Sequence, residues 1–196
     1  MGHRRVARDM KEKPDEHESA ALRHVLVVGG TLEEWDRLGR ERWEARRSDL
    51  AKVVAHAGSM WLTLRPYERG GVRSSEGVGT PTQRIIDVRE GCTVIVDPSP
   101  DGRERFLAAV EQLRLMRVPS VDEAALAGVL MAPAPAEPDL TVILGPPHQL
   151  PPSLVWELAY SEIVFIDSHW NDLTAAHIEH AIDQFSRRHR RFGGIE

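Results

Sequence analysis

Residues 156–194, WELAYSEIVFIDSHWNDLTAAHIEHAIDQFSRRHRRFGG, hold the clearest structural pattern in the chain. Within them, residues 163–166 are a β-branched and aromatic run between polar neighbours, which is typical of a strand buried on both faces. Asp172 or Thr174 can cap a helix after that strand. Apolar residues then recur every three or four positions: Leu173, Ile178, Ala181, Ile182 and Phe185. The pattern therefore predicts a buried strand followed by one amphipathic helix.

The predicted helix ends in a basic run, residues 187–191, which reads RRHRR and comes just before Gly193 and Gly194. Cations in a last helical turn interact favourably with the negative end of the helix dipole, and glycine commonly ends a helix. These residues taken alone are therefore compatible with a helix whose solvated basic end has no further role.

The order of residues in this stretch is more specific than its periodicity. Trp-x-Leu-Ala-Tyr-x-Glu, Phe-x-Asp, Trp-x-Asp and Arg-Arg-Phe-Gly-Gly follow one another at fixed spacing. The positions concerned are Trp156, Leu158, Ala159, Tyr160, Glu162, Phe165, Asp167, Trp170, Asp172 and residues 190–194. This order resembles the carboxy-terminal signature of the cis-prenyltransferases, the undecaprenyl diphosphate synthase family. The resemblance implies an α/β fold that binds prenyl diphosphates at a magnesium-linked catalytic aspartate.

The composition is that of one soluble domain: 196 residues, 41% hydrophobic and 28% charged, with a net charge of -5. The acidic balance gives no support for a nucleic-acid partner, and no run of eighteen apolar residues predicts a transmembrane segment. Cys92 is the single cysteine, which excludes a disulfide framework and favours a reducing, cytoplasmic location. Residues 1–20 carry mixed charge without an apolar core, so we expect a disordered or loosely packed tail before a domain at residues 21–196.

An apolar run closed by two glycines, HVLVVGG at residues 24–30, is typical of a central strand of a parallel sheet. Thr31 and Glu34 can then form a capping box that opens a helix, at the kind of turn where doubly wound sheets bind phosphate. Further strands are predicted at residues 61–64, 85–88, 93–96 and 140–144, and helices at 31–57 with a break at Gly39, from Asp101, and at 122–130. The predicted fold is α/β, with a central, mostly parallel sheet flanked by helices.

The family resemblance makes the turn after residues 24–30 informative. Family members carry there an Asp-Gly-Asn-Gly-Arg loop with the catalytic aspartate, closely followed by a tryptophan. Aligned on His24 and Trp35, this chain has Gly30 at the aspartate and Glu34 at the diphosphate-binding arginine. Glycine cannot hold a metal, and glutamate repels the anion that arginine would bind. The Ser-Thr-Glu-Asn-Trp motif that the family has after its next strand is replaced here by residues 65–70, RPYERG.

A second family loop has also lost its charges. After the strand at residues 140–144 the family reads Arg-Thr-Gly-Gly-Glu-x-Arg-x-Ser-Asn-Phe, whose arginines and serine bind the diphosphate of isopentenyl diphosphate. Counted without a gap, this chain has Ile143, Gln149 and Pro151 at those positions, and Pro147 at the glutamate. Neither isoleucine nor glutamine reproduces the forked anion binding of a guanidinium.

The tunnel that encloses the growing polyprenyl chain in the family is built from long helices. In this chain the corresponding residues 69–82, RGGVRSSEGVGTPT, have no helical pattern and predict a loop. The fold is therefore expected to be cis-prenyltransferase-like with shortened tunnel helices.

The resemblance implies that this chain is a non-catalytic subunit. In two-subunit cis-prenyltransferases, the subunit without the aspartate completes its partner's diphosphate site with a carboxy-terminal Arg-x-Gly motif. Arg191, Gly193 and Gly194 match that motif and would bind diphosphate in trans, in isoprenoid, polyprenyl or terpenoid biosynthesis. No cofactor is expected on this chain, and Mg2+ is expected in the catalytic partner. The expected subunit interface consists of Trp156, Tyr160, Phe165 and Trp170.

Two other functions remain open at this point. A repurposed enzyme would bind an allylic prenyl diphosphate and carry out short-chain prenyl transfer, cyclisation or hydrolysis with residues that the family does not use. A diphosphate-independent binding module would do neither. His177, His180 and Asp183 lie on a similar face of the terminal helix, but the sequence fixes no third ligand, so no metal site is predicted.

Overall fold

The structure is a computed structural model that describes residues 21–68, 83–147 and 149–192, without the side chains of residues 189–192. The expected tail at residues 1–20 and the expected loop at residues 69–82 lie outside the described residues. The domain boundary placed at residue 21 therefore stays a prediction.

A six-stranded sheet forms the centre of the fold. In chain order its strands are β1 (His24–Val28), β2 (Trp61–Arg65), β3 (Ile85–Arg89), β4 (Cys92–Val96), β5 (Leu140–Leu144) and β6 (Glu162–Ile166). Their order in space is β3-β4-β2-β1-β5-β6, and every neighbouring pair is parallel except β3 with β4. All five residues of β1 are buried, as its continuous apolar sequence predicts for an inner strand. The mostly parallel α/β sheet is therefore confirmed.

Five α-helices connect or follow the strands: α1 (Leu32–Leu38), α2 (Arg40–His56), α3 (Gly102–Leu115), α4 (Glu123–Met131) and α5 (Ala175–Phe192). The helix predicted at residues 31–57 is divided at Gly39, whose φ of 72° favours glycine. Thr174 directly precedes α5, whereas Asp172 lies in a separate 3-10 turn, Trp170–Asp172. Of the two cap residues proposed for this helix, Asp172 is therefore wrong because the helix begins three residues after it.

A cluster of three tryptophans joins the helices on one face of the sheet. The ring centroids of Trp35 and Trp170 lie 5.3 Å apart, and Trp43 lies 5.0 Å from Trp35 and 5.7 Å from Trp170. The guanidinium of Arg46 lies over the Trp170 ring at 5.1 Å and donates to the Trp170 carbonyl. Offset and edge-on aromatic pairs and a cation over a ring are all stabilising. The cluster therefore holds the turn before α5 against α1 and α2.

A buried ion-pair network lies on the opposite face, at the carboxyl ends of β2 and β4. Arg65 Nη1 lies 2.6 Å from Glu157 Oε1, and Arg105 Nη2 lies 2.8 Å from the same oxygen. Asp97 is shared by the same two arginines, at 3.5 Å and 3.3 Å. Burial alone would raise the pKa of Glu157, but the two guanidinium groups lower it to about 2. Since α3 and the 3-10 turn Glu157–Ala159 carry two of these side chains, the network fixes both segments to the sheet.

His24 is a buried titratable group at the start of β1, with 3% of its surface exposed. Its Nδ1 donates to the Ala136 carbonyl at 3.0 Å, and its Nε2 accepts from the Thr63 hydroxyl at 2.9 Å. Burial lowers the pKa of His24 from 6.5 to about 4. The imidazole is therefore neutral in the folded protein at neutral pH.

The pKa of His24 predicts a loss of stability in mild acid. Between pH 6.5 and about 4 the unfolded chain binds a proton that the folded chain excludes, so the stability present above pH 6.5 falls as the pH falls towards 4. We expect His24→Gln to remove this loss, which is on the order of 3 kcal/mol. Urea unfolding between pH 7 and pH 4 measures it. His56→Gln, at an exposed histidine, is the matched control and should leave the pH slope unchanged; equal slopes for His24→Gln and the wild type would contradict the assignment.

Candidate functional site

A cleft of about 240 Å3 opens at the carboxyl ends of β1, β2, β5 and β6. Its walls are the turns that follow these strands, at residues 30–31, 67–68, 145–146 and 168–170. In parallel α/β sheets ligands bind at this edge, because the turns and helix N-termini converge there. The two loops that the sequence comparison singled out, after β1 and after β5, therefore meet in one cleft.

Gly30 lies against an indole that leaves no room for a side chain. A Cβ atom at Gly30 would lie 2.7 Å from both Cβ and Cγ of Trp170. The backbone of Gly30 has a φ of 69° and its carbonyl accepts from the Tyr67 amide at 2.7 Å. Trp170 is 1% exposed and is held by the tryptophan cluster, so it cannot easily move aside. The position that the sequence aligns with the family's aspartate is therefore closed by packing and carries no carboxylate.

Glu34 serves as a helix cap. Its Oε2 accepts from the Thr31 amide at 2.7 Å, and its own amide donates to the Thr31 hydroxyl at 3.1 Å, so the predicted capping box is confirmed. Amide groups at a helix N-terminus are the usual site for a phosphate oxygen. In this chain the carboxylate of Glu34 already occupies that end of α1.

The described residues of the turn after β5 bring no cation into the cleft. Ile143 lies inside β5 with no exposed surface and packs with Val28 and Leu154. Gln149 is exposed and its carbonyl accepts from the Tyr67 hydroxyl at 3.1 Å. Pro151 is buried. None of the three positions counted against the family's arginines and serine supplies a charged group here.

The described residues give the cleft an acidic lining. The carboxylates of Glu34 and Glu68 line it, whereas no lysine or arginine among the residues in the structure does so. Sequence analysis singled out Glu34 but missed Glu68, although Glu68 comes soon after the end of β2, where functional side chains of such sheets lie. His169 is also exposed at the rim. This lining disfavours a diphosphate, which carries several negative charges.

Comparison with known proteins shows the family to which this chain belongs. A family model described as "Putative undecaprenyl diphosphate synthase" matches residues 84–193. An isoprenyl transferase of Neisseria meningitidis serogroup A is 33% identical over 201 residues, covering 98% of this chain and 80% of the relative. Isoprenyl transferase 2 of Bradyrhizobium diazoefficiens is 27% identical over 221 residues, covering 99% of this chain and 81% of the relative. The chain belongs to the undecaprenyl diphosphate synthase family.

Solved structures agree with this fold. A probable undecaprenyl diphosphate synthase from Campylobacter jejuni superposes with a TM-score of 0.57 at 18% identity, covering 88% of this chain and 99% of that one. Lavandulyl diphosphate synthase from Lavandula x intermedia, in complex with dimethylallyl diphosphate, gives a TM-score of 0.58 at 17% identity, covering 85% and 95%. At these identities the likeness shows the shared fold.

The carboxy-terminal helix places the basic run, residues 187–191, away from the cleft. Helix α5 starts beyond the carboxyl end of β6 and runs back along the sheet. Arg188 Nη1 lies 2.8 Å from Oε1 of Glu162, the first residue of β6, and donates to the Ile163 carbonyl at 3.3 Å. Since the fourteen residues from Ala175 to Arg188 span roughly 20 Å of helix, the basic run lies at the amino ends of the strands, opposite the cleft.

Residues of the predicted trans motif are described only in part. Arg191 belongs to α5, but its side chain, Gly193 and Gly194 lie outside the described part of the chain. Arg187 pairs with Asp183 at 2.7 Å. The first two arginines of the basic run, at positions 187 and 188, are therefore engaged within the chain.

The four residues expected at a subunit interface have different surroundings. Tyr160 is 47% exposed and donates to Glu123, whereas Trp156 is half-buried and donates through Nε1 to Glu137 at 3.2 Å. Phe165 is also half-buried. Trp170 was predicted at the interface, but it is 1% exposed because it packs in the tryptophan cluster. Its side chain offers no surface to a partner, and that assignment is wrong.

The histidines of α5 have local partners. His177 Nδ1 accepts from the Thr174 amide at 3.2 Å, and His180 Nε2 lies 2.8 Å from the Gln184 amide nitrogen. Among the residues that the structure describes, no three His, Cys, Asp or Glu side chains are placed to hold a metal ion. A magnesium ion is bound through carboxylates and substrate phosphates, and the cleft residues described here do not offer a suitable set. No helix in the described ranges is long and apolar enough to cross a membrane.

Packing at Gly30 predicts that a side chain there is destabilising. We expect Gly30→Ala to lower the free energy of unfolding by about 1 to 3 kcal/mol more than Gly58→Ala, because the added methyl overlaps Trp170. Gly58 is the matched control, since its φ of 88° is also positive but a Cβ there meets nothing within 4 Å. Urea denaturation measures both. Equal losses for the two variants would show that Trp170 moves aside freely, and an aspartate could then be accommodated at position 30.

Proposed function

We propose that this chain is a non-catalytic subunit of a heteromeric cis-prenyltransferase, which completes the diphosphate site of a catalytic partner through Arg191, Gly193 and Gly194. The supporting observation is the separation of charge on the sheet. The chain's own cleft has an acidic lining, while its basic end follows Arg188, which is anchored at Glu162 on the opposite edge. A motif that continues from that edge would act on another molecule rather than in the chain's own cleft.

Loss of catalysis in the chain's own cleft is supported by two physical arguments. A departing diphosphate is stabilised by a metal ion or by cationic donors aimed at its developing charge. The cleft described here has Glu34 and Glu68 instead, and Trp170 closes the space at Gly30. We therefore place Mg2+ and the reacting diphosphate in the partner's site, with no cofactor on this chain.

The buried ion network supports the further proposal that this chain does not house a long prenyl product. Arg65 and Glu157 are 2% and 1% exposed, and both lie at the carboxyl ends of the strands. A hydrocarbon tail entering that region would have to separate buried ion pairs, and breaking one such pair costs several kcal/mol. The growing chain is then enclosed by the partner alone.

Arginine and glycine suit binding in trans for chemical reasons. A guanidinium offers parallel N–H donors to two diphosphate oxygens, and glycine leaves the neighbouring backbone amides open to an anion. The proposed contact surface retains Trp156, Tyr160 and Phe165. Two apolar neighbours of that surface, Val155 and Leu158, are 48% and 38% exposed, and exposed apolar patches of this kind often mark an interface.

A co-expression experiment tests the trans role. The chain is produced with an Asp-bearing homologue, the complex is isolated by size exclusion, and isopentenyl transfer is measured. We expect Arg191→Ala to lower kcat on the order of a hundredfold, the effect of removing one donor to a developing anion, while the complex still forms. Arg191→Lys should retain an intermediate rate.

Arg187→Ala is the matched control on the same helix, because Arg187 pairs with Asp183 within the chain. Its complex should turn over at the wild-type rate. If Arg191→Ala leaves turnover unchanged in an intact complex, the trans role is refuted.

A repurposed enzyme is the second candidate, and the persistence of a cleft with Glu68 and His169 at its rim is the observation that favours it. Such an enzyme would consume geranyl or farnesyl diphosphate when purified alone, and Glu68→Gln would reduce the rate. The proposed non-catalytic role predicts no consumption by the isolated chain. Turnover that depends on Glu68 would therefore replace the first proposal with the second.

A further inference from the structure

A second cleft, separate from the one at the strand ends, lies between α3 and α4 and has a volume of about 170 Å3. Arg84, Arg105 and Gln112 form its polar part. Its walls include the apolar side chains of Val129 and Leu130 and the small side chain of Ala108. The cleft therefore combines cationic and amide donors with an apolar wall in one small space.

Beneath this cleft the buried ion network has one positive charge in excess among the described residues. Asp97 pairs with Arg84 at 3.1 Å, with Arg105 at 3.3 Å and with Arg65 at 3.5 Å. Glu157 is the second carboxylate and pairs with Arg65 and Arg105. Three guanidinium groups thus share two carboxylates. The excess positive charge attracts an anion that approaches the group from solvent.

The protonation behaviour of the network agrees with a positive local field. Burial lowers the pKa of Arg105, and the neighbouring charge of Arg65 lowers it further. Burial would raise the pKa of Asp97, but the three arginines hold it below its ordinary value. Arg105 is 8% exposed, and its Nε lies 3.3 Å from Asp97 Oδ2. The network therefore holds a guanidinium directly beneath the cleft.

Arg84 is the cation of this group that reaches solvent, with 32% of its side chain exposed. It donates from Nη1 to the Ala132 carbonyl at 2.8 Å and from Nη2 to Asp97 at 3.1 Å. A guanidinium has five N–H donors, so these two contacts leave capacity for an anion. On α3, Glu111 is paired with Arg114 at 2.7 Å.

We propose that this cleft binds a small amphipathic anion: one phosphate or carboxylate group held by Arg84 and Gln112, with a short hydrocarbon chain against Ala108, Val129 and Leu130. A volume of about 170 Å3 corresponds to roughly six water molecules at about 30 Å3 each. That space suits one anionic group and a few carbon atoms, and it is too small for a polyprenyl chain. The proposal is independent of the trans role of Arg191.

Calorimetric titration of the purified full chain tests the site with defined probes. The probes are inorganic phosphate, 3-methylbutyl phosphate, 4-methylpentanoate and 3-methylbutanol. We expect 3-methylbutyl phosphate to bind at least about tenfold more tightly than inorganic phosphate, because the alkyl group adds apolar contact, and the alcohol not to bind. A comparison of the phosphate ester with the carboxylate identifies which anion the site prefers.

Three variants locate the binding. Ala108→Leu fills the apolar wall at an exposed helical position and should weaken 3-methylbutyl phosphate about tenfold while inorganic phosphate is unaffected. Gln112→Glu, also at an exposed position, should weaken both anions at least about tenfold by charge repulsion. Arg84→Gln should weaken both as well, with circular dichroism used to check folding.

Arg103→Gln is the matched control, because it removes a positive charge from an exposed part of the same helix outside the cleft. It should leave every affinity within about twofold of the wild type. The proposal is overturned if no anion binds at millimolar concentration. It is also overturned if Arg103→Gln weakens binding as much as Gln112→Glu does, since the effect would then be that of general surface charge.

Discussion

The indole of Trp170 packs against the backbone of Gly30, and the arrangement of the rest of the chain depends on that contact. The indole is stacked on Trp35 and capped by the guanidinium of Arg46, so three separate segments meet at it. At the end of β1, this packing removes the volume that an acidic side chain would need. Beyond β6, it fixes the 3-10 turn from which α5 departs. Closure of the cleft and the direction of the basic helix therefore follow from one packing arrangement.

The opposite face of the sheet is held by a different kind of interaction. There the ends of β2 and β4, the start of α3 and the turn after residue 156 are tied by arginine and carboxylate groups rather than by apolar side chains. Such a network is specific in geometry but adds little net stability, because desolvation offsets much of the attraction. Beside this network, burial keeps His24 neutral, which makes the fold sensitive to acid. The apolar face of the sheet thus contributes most to the stability of the fold, whereas the ionic face fixes the positions of α3 and of the turn after residue 156.

Local patterns in the sequence were sufficient for most of the fold. Continuous apolar runs gave the strands, Thr31 and Glu34 gave a capping box, and Gly39 marked the helix break, because each depends on neighbours within a few residues. No apolar run in the sequence specified that β3 pairs with β4 in the antiparallel direction. The ion pair between Arg65 and Glu157 joins residues that are 92 positions apart in the sequence. Periodicity contains no information about such distant partners.

One of the predicted interface residues, Trp170, was misassigned, and the reason is physical. A tryptophan in a signature motif looks the same in sequence whether it faces a partner or the core, and only the positions of Trp35 and Trp43 decide that Trp170 is internal. The sequence showed that the family's aspartate and arginine are replaced at positions 30 and 34. It did not show that the carboxylate of Glu34 occupies the N-terminus of α1. The carboxylate takes the place of a phosphate oxygen at α1, while Arg188 binds the far end of β6. An anion is thus disfavoured in the chain's own cleft, and under the proposed function the diphosphate bound through Arg191 belongs to a second subunit.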